Sequence, residues 1–94
     1  MGMIKSFHCL DTKALFEGNR IPRFANMERV AIRKLQQVHA ANTIDFLRVP
    51  PGNMLERLHR DREGQWSIRI NDQWRICFRF ENGNAFDVEI VDYH

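Results

Sequence analysis

Cysteine, proline and tyrosine are scarce in this 94-residue chain, with two, three and one copies respectively. Cys9 and Cys77 stand far apart and no Cys/His group has zinc-site spacing, so neither a disulfide scaffold nor a structural zinc organises the fold. Two free, partly buried thiols are expected. No apolar run approaches the ~20 residues that a membrane helix needs. The opening MGMIKSFHCLDTK lacks the apolar core of a secretory signal, which leads us to expect a cytoplasmic protein with no membrane partner. Met1-Gly2, ahead of Met3, reads as a cloning remnant before the natural start. A P-loop, a dinucleotide glycine fingerprint and a two-metal carboxylate cluster are missing as well, which removes the commonest nucleotide- and metal-dependent chemistries from consideration. Charge of one sign is not in excess: the net charge is +2, a weak nucleic-acid signal by itself.

What is present reads as one globular domain over residues 1–94. Hydrophobic residues make up 44% of the chain and charged residues 28%, which suits a modest core with little room for a second module. Ile4-Lys5-Ser6-Phe7 is a candidate first strand. Asp11 is placed to cap a short helix through Phe16 that Gly18 ends. From Phe24 to Ala41 the spacing predicts the main helix. Met27, Ala31, Leu35 and Val38 recur at three- and four-residue steps, with Glu28, Arg29, Arg33, Lys34, Gln36 and Gln37 off that stripe. The loop VPPGN (Val49 to Asn53) cannot continue regular structure. Beyond it the period changes to two. Trp66, Ile68 and Ile70, then Trp74, Ile76, Phe78 and Phe80, then Phe86, Val88 and Ile90 alternate as half-buried antiparallel strands. Three-residue turns are expected at 71–73 and 82–84, with one more strand in 54–60. The fold class is therefore α+β: a short N-terminal strand and two helices packed on one face of a mainly antiparallel C-terminal sheet. Trp66 and Trp74 are expected in the core, and His8 and His39 are expected to be structural.

The other face of the sheet carries the reactive residues. Eleven of the fourteen basic residues are arginine, whose planar fork grips phosphate oxygens in pairs; surface ion pairing is the plain alternative. Parity points Ser67, Arg69, Arg75, Cys77, Arg79, Asp87, Glu89 and Tyr93 away from the helices. Keeping Ile70 in phase with Trp74 sets Arg69 opposite Arg75, a like-charge pair that costs a sheet up to about 1 kcal/mol. Such a pair suggests a phosphate cradled between them. The competing reading is that Glu89 and Asp87 neutralise them, and Arg79 with Asp87 already looks like an ion pair. The turn at 82–84 puts Trp74 opposite Asp92 and Arg75 opposite Val91. The closing Asp92-Tyr93-His94 is then anchored beside the cationic patch instead of fraying.

That set of side chains suits cleavage of RNA by its own 2′-hydroxyl, which needs a base, an acid and a cation for the phosphorane charge. His94 can be acid or base near neutral pH. Arg75 and Arg69 can hold the phosphorane, and Glu56 is a candidate base. Tyr93 can stack on a nucleobase or hydrogen-bond a phosphate. The stretch LERLHRDRE around Glu56 and His59 reads equally well as a solvated strand edge.

The run PPGNMLERLHRDREGQWSIRINDQWRICFRFENG, closed by DYH, resembles the HigB toxins of the RelE superfamily. The likeness extends through MIKSF and so covers nearly the whole chain, and its G-x-W-S-I-R-I-N-D-Q-W-R-I-x-F segment is highly specific. The resemblance implies a RelE-like fold and a ribosome-dependent mRNA endonuclease that cuts codons in the A site without metal or cofactor. As partners it implies the 70S ribosome with its mRNA and a HigA-type helix-turn-helix antitoxin, operator DNA being reached only through the toxin–antitoxin complex. By position, Asp92, Tyr93 and His94 match the C-terminal catalytic triplet of these toxins. Arg75 matches the arginine at the scissile phosphate, and Glu56 a proposed general base that another branch replaces by histidine. Where the family usually reads L-K-G-D, this chain has Leu58-His59-Arg60-Asp61. His59 thus replaces a lysine that helps hold RNA and Arg60 replaces a glycine; Arg60 or Arg62 is expected to supply the missing cation.

Residues 1–50 carry eight basic and four acidic residues, net +4, and residues 51–94 carry six and eight, net −2. The helical half is the better candidate for gripping ribosomal RNA, through Arg20, Arg23, Arg29, Arg33 and Lys34. A non-catalytic RNA- or partner-binding module of the same fold is the alternative reading, as is an adaptor that only binds its antitoxin.

Overall fold

The segments of period two pair into one antiparallel sheet in a computed structural model that describes residues 2–93. Its strands are β1 (Glu56–Arg57), β2 (Trp66–Arg69), β3 (Trp74–Glu81) and β4 (Asn84–Asp92), in the order β1-β2-β3-β4. Ile68 faces Ile76 and Arg69 faces Arg75, as parity requires. Helices α1 (Leu10–Phe16) and α2 (Glu28–Ala40) complete the α+β architecture. Leu15, Phe24, Leu35, Val38, Leu47, Ile68, Ile76, Phe78 and Val88 are fully buried in the core. Each such side chain contributes about 1.5–3 kcal/mol on leaving water.

Several expectations need correction. The main helix does not begin at Phe24: residues Pro22–Met27 form a tighter 3-10 segment, and the α-helix runs from Glu28. Asp11 is not the cap of α1. Cys9 occupies that position without a side-chain hydrogen bond, and Asp11 pairs with Arg23 at 3.0 Å. Lys34 is buried, 6% exposed, although its charge placed it off the stripe. It lies three residues after Ala31 and four before Val38, so it shares an edge with the stripe, and Asn53 accepts its ammonium. Trp66 and Trp74 are half-buried at the rim of the core; Trp74 meets Phe24 edge-on at 5.5 Å, and the Arg57 guanidinium lies 5.5 Å over Trp66.

The β3–β4 hairpin reaches the expected register by an unexpected route. Its turn has two residues, not three: Glu81 pairs with Asn84 across Asn82 and Gly83, both at positive φ (51° and 79°). That geometry matches the right-handed strand twist. A bulge between the Cys77 and Arg79 pairings then inserts one extra residue into β4, where Asp87 has φ 53°. The two deviations cancel, so Trp74 faces Asp92 and Arg75 faces Val91.

The N-terminal segment lies parallel to β4 as isolated bridges, Ile4 to Ala85 and Phe7 to Val88, and not as a continuous strand. Beyond it, the hydroxyl of Thr12 on α1 accepts from the Ile90 N–H at 3.0 Å, tying the helix to the sheet edge. His39 is structural as expected: its Nδ1 accepts from the Ile4 N–H at 3.0 Å and its ring packs 5.3 Å from Phe16.

Candidate functional site

Arg75, on β3, is where three segments of the chain meet. Its Nε donates to Ser67 Oγ on β2 at 2.8 Å, and its Nη2 donates to the Met54 carbonyl at 2.7 Å. Nη2 also lies 3.7 Å from Glu56 Oε1 on β1, and the guanidinium stands 5.4 Å from the centre of the Tyr93 ring. Arg75 is only 8% exposed, and a buried guanidinium survives only with such partners. Parity alone had placed Ser67, Arg75 and Cys77 on an open surface. All three are buried, because this face is not bare. Arg62 reaches over it to Glu89 on β4 at 3.0 Å.

The Met54 carbonyl is aimed by a buried clamp. Met54 occupies the left-handed region (φ 45°, ψ 55°), a conformation that surrounding contacts must enforce. Asn53, fully buried, supplies them. Its amide donates to the Leu47 carbonyl (3.1 Å), Gln37 Oε1 (3.2 Å) and the Val49 carbonyl (3.4 Å), and its Oδ1 accepts from Lys34. Burial, followed by the charges of Arg33 and Arg69, lowers the Lys34 pKa.

The C-terminal tail is pinned as far as it is described. The Tyr93 N–H donates to the Gln73 carbonyl at 2.6 Å, and Gln73 Nε2 donates to Asp92 Oδ2 at 3.1 Å. Tyr93 keeps 45% of its surface exposed, so its ring backs Arg75 and remains available to a ligand. His94 lies outside the described residues.

The remaining candidate residues separate into groups. Arg69 turns away from Arg75 to pair with Asp72 in the adjoining turn, and Arg79 pairs with Asp87 at 3.6 Å. Opposed Arg69 and Arg75 are thus relieved by Asp72 and Glu56, not by Asp87 and Glu89 as the competing reading had it. His59, Arg60 and Arg62 line a cleft of about 260 Å³ with Tyr93 and Leu58. Arg60 has φ 60°, the region a glycine enters freely, so this chain accepts backbone strain at the arginine. The Arg62 pKa is raised: burial opposes the charge, but the Glu89 hydrogen bond, with the Cys77, Glu89 and Tyr93 charges, outweighs it. Arg29 and Arg33 stand exposed on α2 instead.

Both thiols are free. Burial pushes Cys77 up to about 11, which makes it inert near neutral pH. Cys9 is lowered: burial raises it, but hydrogen bonds from Thr12 and Asp11 and the Arg23 charge prevail. Among the described residues, no group of three or more His, Cys, Asp or Glu side chains is placed to hold a metal. Sequence reasoning left Ser67, Asn53, the Met54 carbonyl and Gln73 without a role. A serine in a strand and an asparagine in a Pro-Gly loop carry no signal of their partners.

The fold and the arginine-centred site define a RelE-like α+β protein. Comparison with known families agrees: a family described as "HigB-like toxin: RelE-like toxin of type II toxin-antitoxin system HigB" matches residues 7–94. The chain belongs to this family. It is 38% identical over 98 aligned positions to "Endoribonuclease HigB" of Proteus vulgaris, covering 98% of this chain and all of that protein. It is also 38% identical over 63 residues to "Toxin HigB-1" of Vibrio cholerae, covering 67% of this chain and 66% of that protein. An uncharacterized protein of Haemophilus influenzae is 39% identical over 67 residues, 71% of this chain and 64% of that one.

Proposed function

We propose that the protein is a ribosome-dependent endoribonuclease, the toxin of a type II pair, which cleaves mRNA in the A site. The observation that carries this reading is the convergence of Arg75, Glu56 and Tyr93 on one face of the sheet, at a tail whose next residue is His94. In this reading Glu56 takes the proton of the 2′-hydroxyl, and O2′ attacks phosphorus. Arg75 holds the charge of the phosphorane, and His94 gives a proton to the departing 5′-oxygen. The products are a 2′,3′-cyclic phosphate and a 5′-hydroxyl, so protons and charge balance between side chains. Glu56 is half-exposed, as a residue that must exchange its proton has to be. His59, Arg60 and Arg62 hold the RNA beside the tail, and Arg69 does so once a phosphate competes with Asp72. Asp92 fixes the tail through Gln73. A HigA-type helix-turn-helix antitoxin neutralises the toxin, and the complex reaches operator DNA through the antitoxin. The site of action is the cytoplasm, and no helix among the described residues is long and apolar enough to cross a membrane.

Brief induction without antitoxin, followed by primer extension on an abundant mRNA, tests this. Wild-type protein gives in-frame cuts and growth arrest. Deleting His94 alone, or Arg75→Ala, lowers cleavage by about 10²–10³-fold, the loss expected for one transition-state contact. Arrest that persists in a folded His94 deletion removes that residue from the mechanism. RNA binding without any cleavage by the wild type would establish the non-catalytic binding module instead.

A further inference from the structure

A second cleft, of about 460 Å³, lies on the same sheet face and is lined by His8, Gln65, the guanidinium groups of Arg62 and Arg79, and the carboxylates of Asp61, Asp87 and Glu89. Asp61 and Arg62 also line the cleft that holds Tyr93, so the two clefts adjoin. The volume falls in the range of small-ligand pockets.

Two left-handed backbone positions shape the walls. Asp87 is held at φ 53° in the β4 bulge, where its N–H donates to Ser6 Oγ at 2.8 Å. Bulges and left-handed non-glycine residues re-aim side chains, often beside functional sites. Opposite, Gly64 has φ 91°, and a Cβ there would stand 2.7 Å from Arg79 Nη1. The Arg79 guanidinium rests against this glycine, and it is the φ of 91°, not the space beside a movable guanidinium, that calls for glycine there.

The charges favour one ligand chemistry. Each arginine already faces a carboxylate, Arg62 with Glu89 at 3.0 Å and Arg79 with Asp87 at 3.6 Å. A phosphate entering here would meet three carboxylates, Asp61 being the third. A nucleobase edge, which offers donors and acceptors side by side, meets a partner for each. Guanine fits best, because O6 and N7 accept from a guanidinium while its N1 and N2 hydrogens point to a carboxylate.

We propose that this cleft holds a guanine base next to the scissile phosphate, read by Arg79 and Asp87, and that it sets part of the sequence preference of cleavage. The proposal rests on the ribonuclease reading above. Its test is transcriptome-wide mapping of 5′ ends after brief induction of the full-length wild type, Arg79→Gln and Asp87→Asn. Asparagine tolerates positive φ as aspartate does, so the bulge is kept. The wild type is expected to enrich guanine at one fixed position beside the cut, and each variant to reduce that enrichment at least about fivefold. An unchanged nucleotide profile, or a loss of cleavage equal at all sequences, overturns the proposal. If the variants do not fold, NMR titration of the wild type with the four 5′-nucleoside monophosphates decides. Larger shifts at His8 and Gln65 with GMP support the cleft, and absence of discrimination overturns it. A wild type that cuts no RNA defeats the ribonuclease reading itself, and the titration still judges the cleft.

Discussion

Lys34 shows how a single buried charge serves a site that it does not touch. It holds Asn53, which sets the Met54 carbonyl against Arg75. Because burial lowers its pKa, the unfolded chain binds more protons than the folded one between that lowered value and the ordinary 10.5. Stability should therefore rise with pH through that window, with the full penalty present below it. Lys34→Met should remove this slope and add a constant cost for the unpaired Asn53 oxygen. Urea midpoints measured at stepped alkaline pH check it, and parallel curves for the two proteins would refute it. At this scale Arg75 and Tyr93 were legible from strand parity and register, whereas Glu56 was only a candidate base upstream of the sheet until the structure set it beside Arg75. Lys34 and Asn53 were not: a lysine beside a helical stripe reads as solvated until a loop from elsewhere covers it.

Among the elements, the hairpin carries the most information. Alternation predicted that Arg75 would face Val91, and it does, yet the turn and the bulge that produce the register were invisible to a pattern of period two. Asn82-Gly83 is a strong two-residue turn signal, and reading it as such would have demanded a compensating residue downstream. Gly83 has φ 79°, and a Cβ there would stand 3.1 Å from the Asn42 carbonyl oxygen. Gly83→Ala should thus destabilise the protein by about 1 kcal/mol. In a domain of this size that lowers Tm by about 4–8 °C, readable by calorimetry. An unshifted Tm would mean that the turn does not adopt the left-handed geometry. The 3-10 start of the main helix was equally hidden, since its apolar spacing serves both helix types.

For the whole molecule, charge is divided between a helical half of net +4 and a sheet half of net −2. Exposed Arg29 and Arg33 give α2 a cationic surface apart from the arginine-centred site. Reversing both to Glu should weaken co-sedimentation with ribosomes about tenfold at roughly 0.15 M salt, because each lost phosphate contact forfeits counterion release. Binding that is unchanged across a salt series would rule out this face. The sequence by itself determined the α+β class, the register at Arg75 and the shared face of Arg75 and Tyr93, because hydrophobic period and side-chain parity are local properties of the chain. Only the tertiary structure decided that Arg75 takes Glu56, Arg69 takes Asp72 and Arg62 takes Glu89, that the central arginine is buried, and that a lysine–asparagine clamp holds its carbonyl partner. Those contacts join residues distant in sequence, and their geometry depends on how the loops close over the sheet.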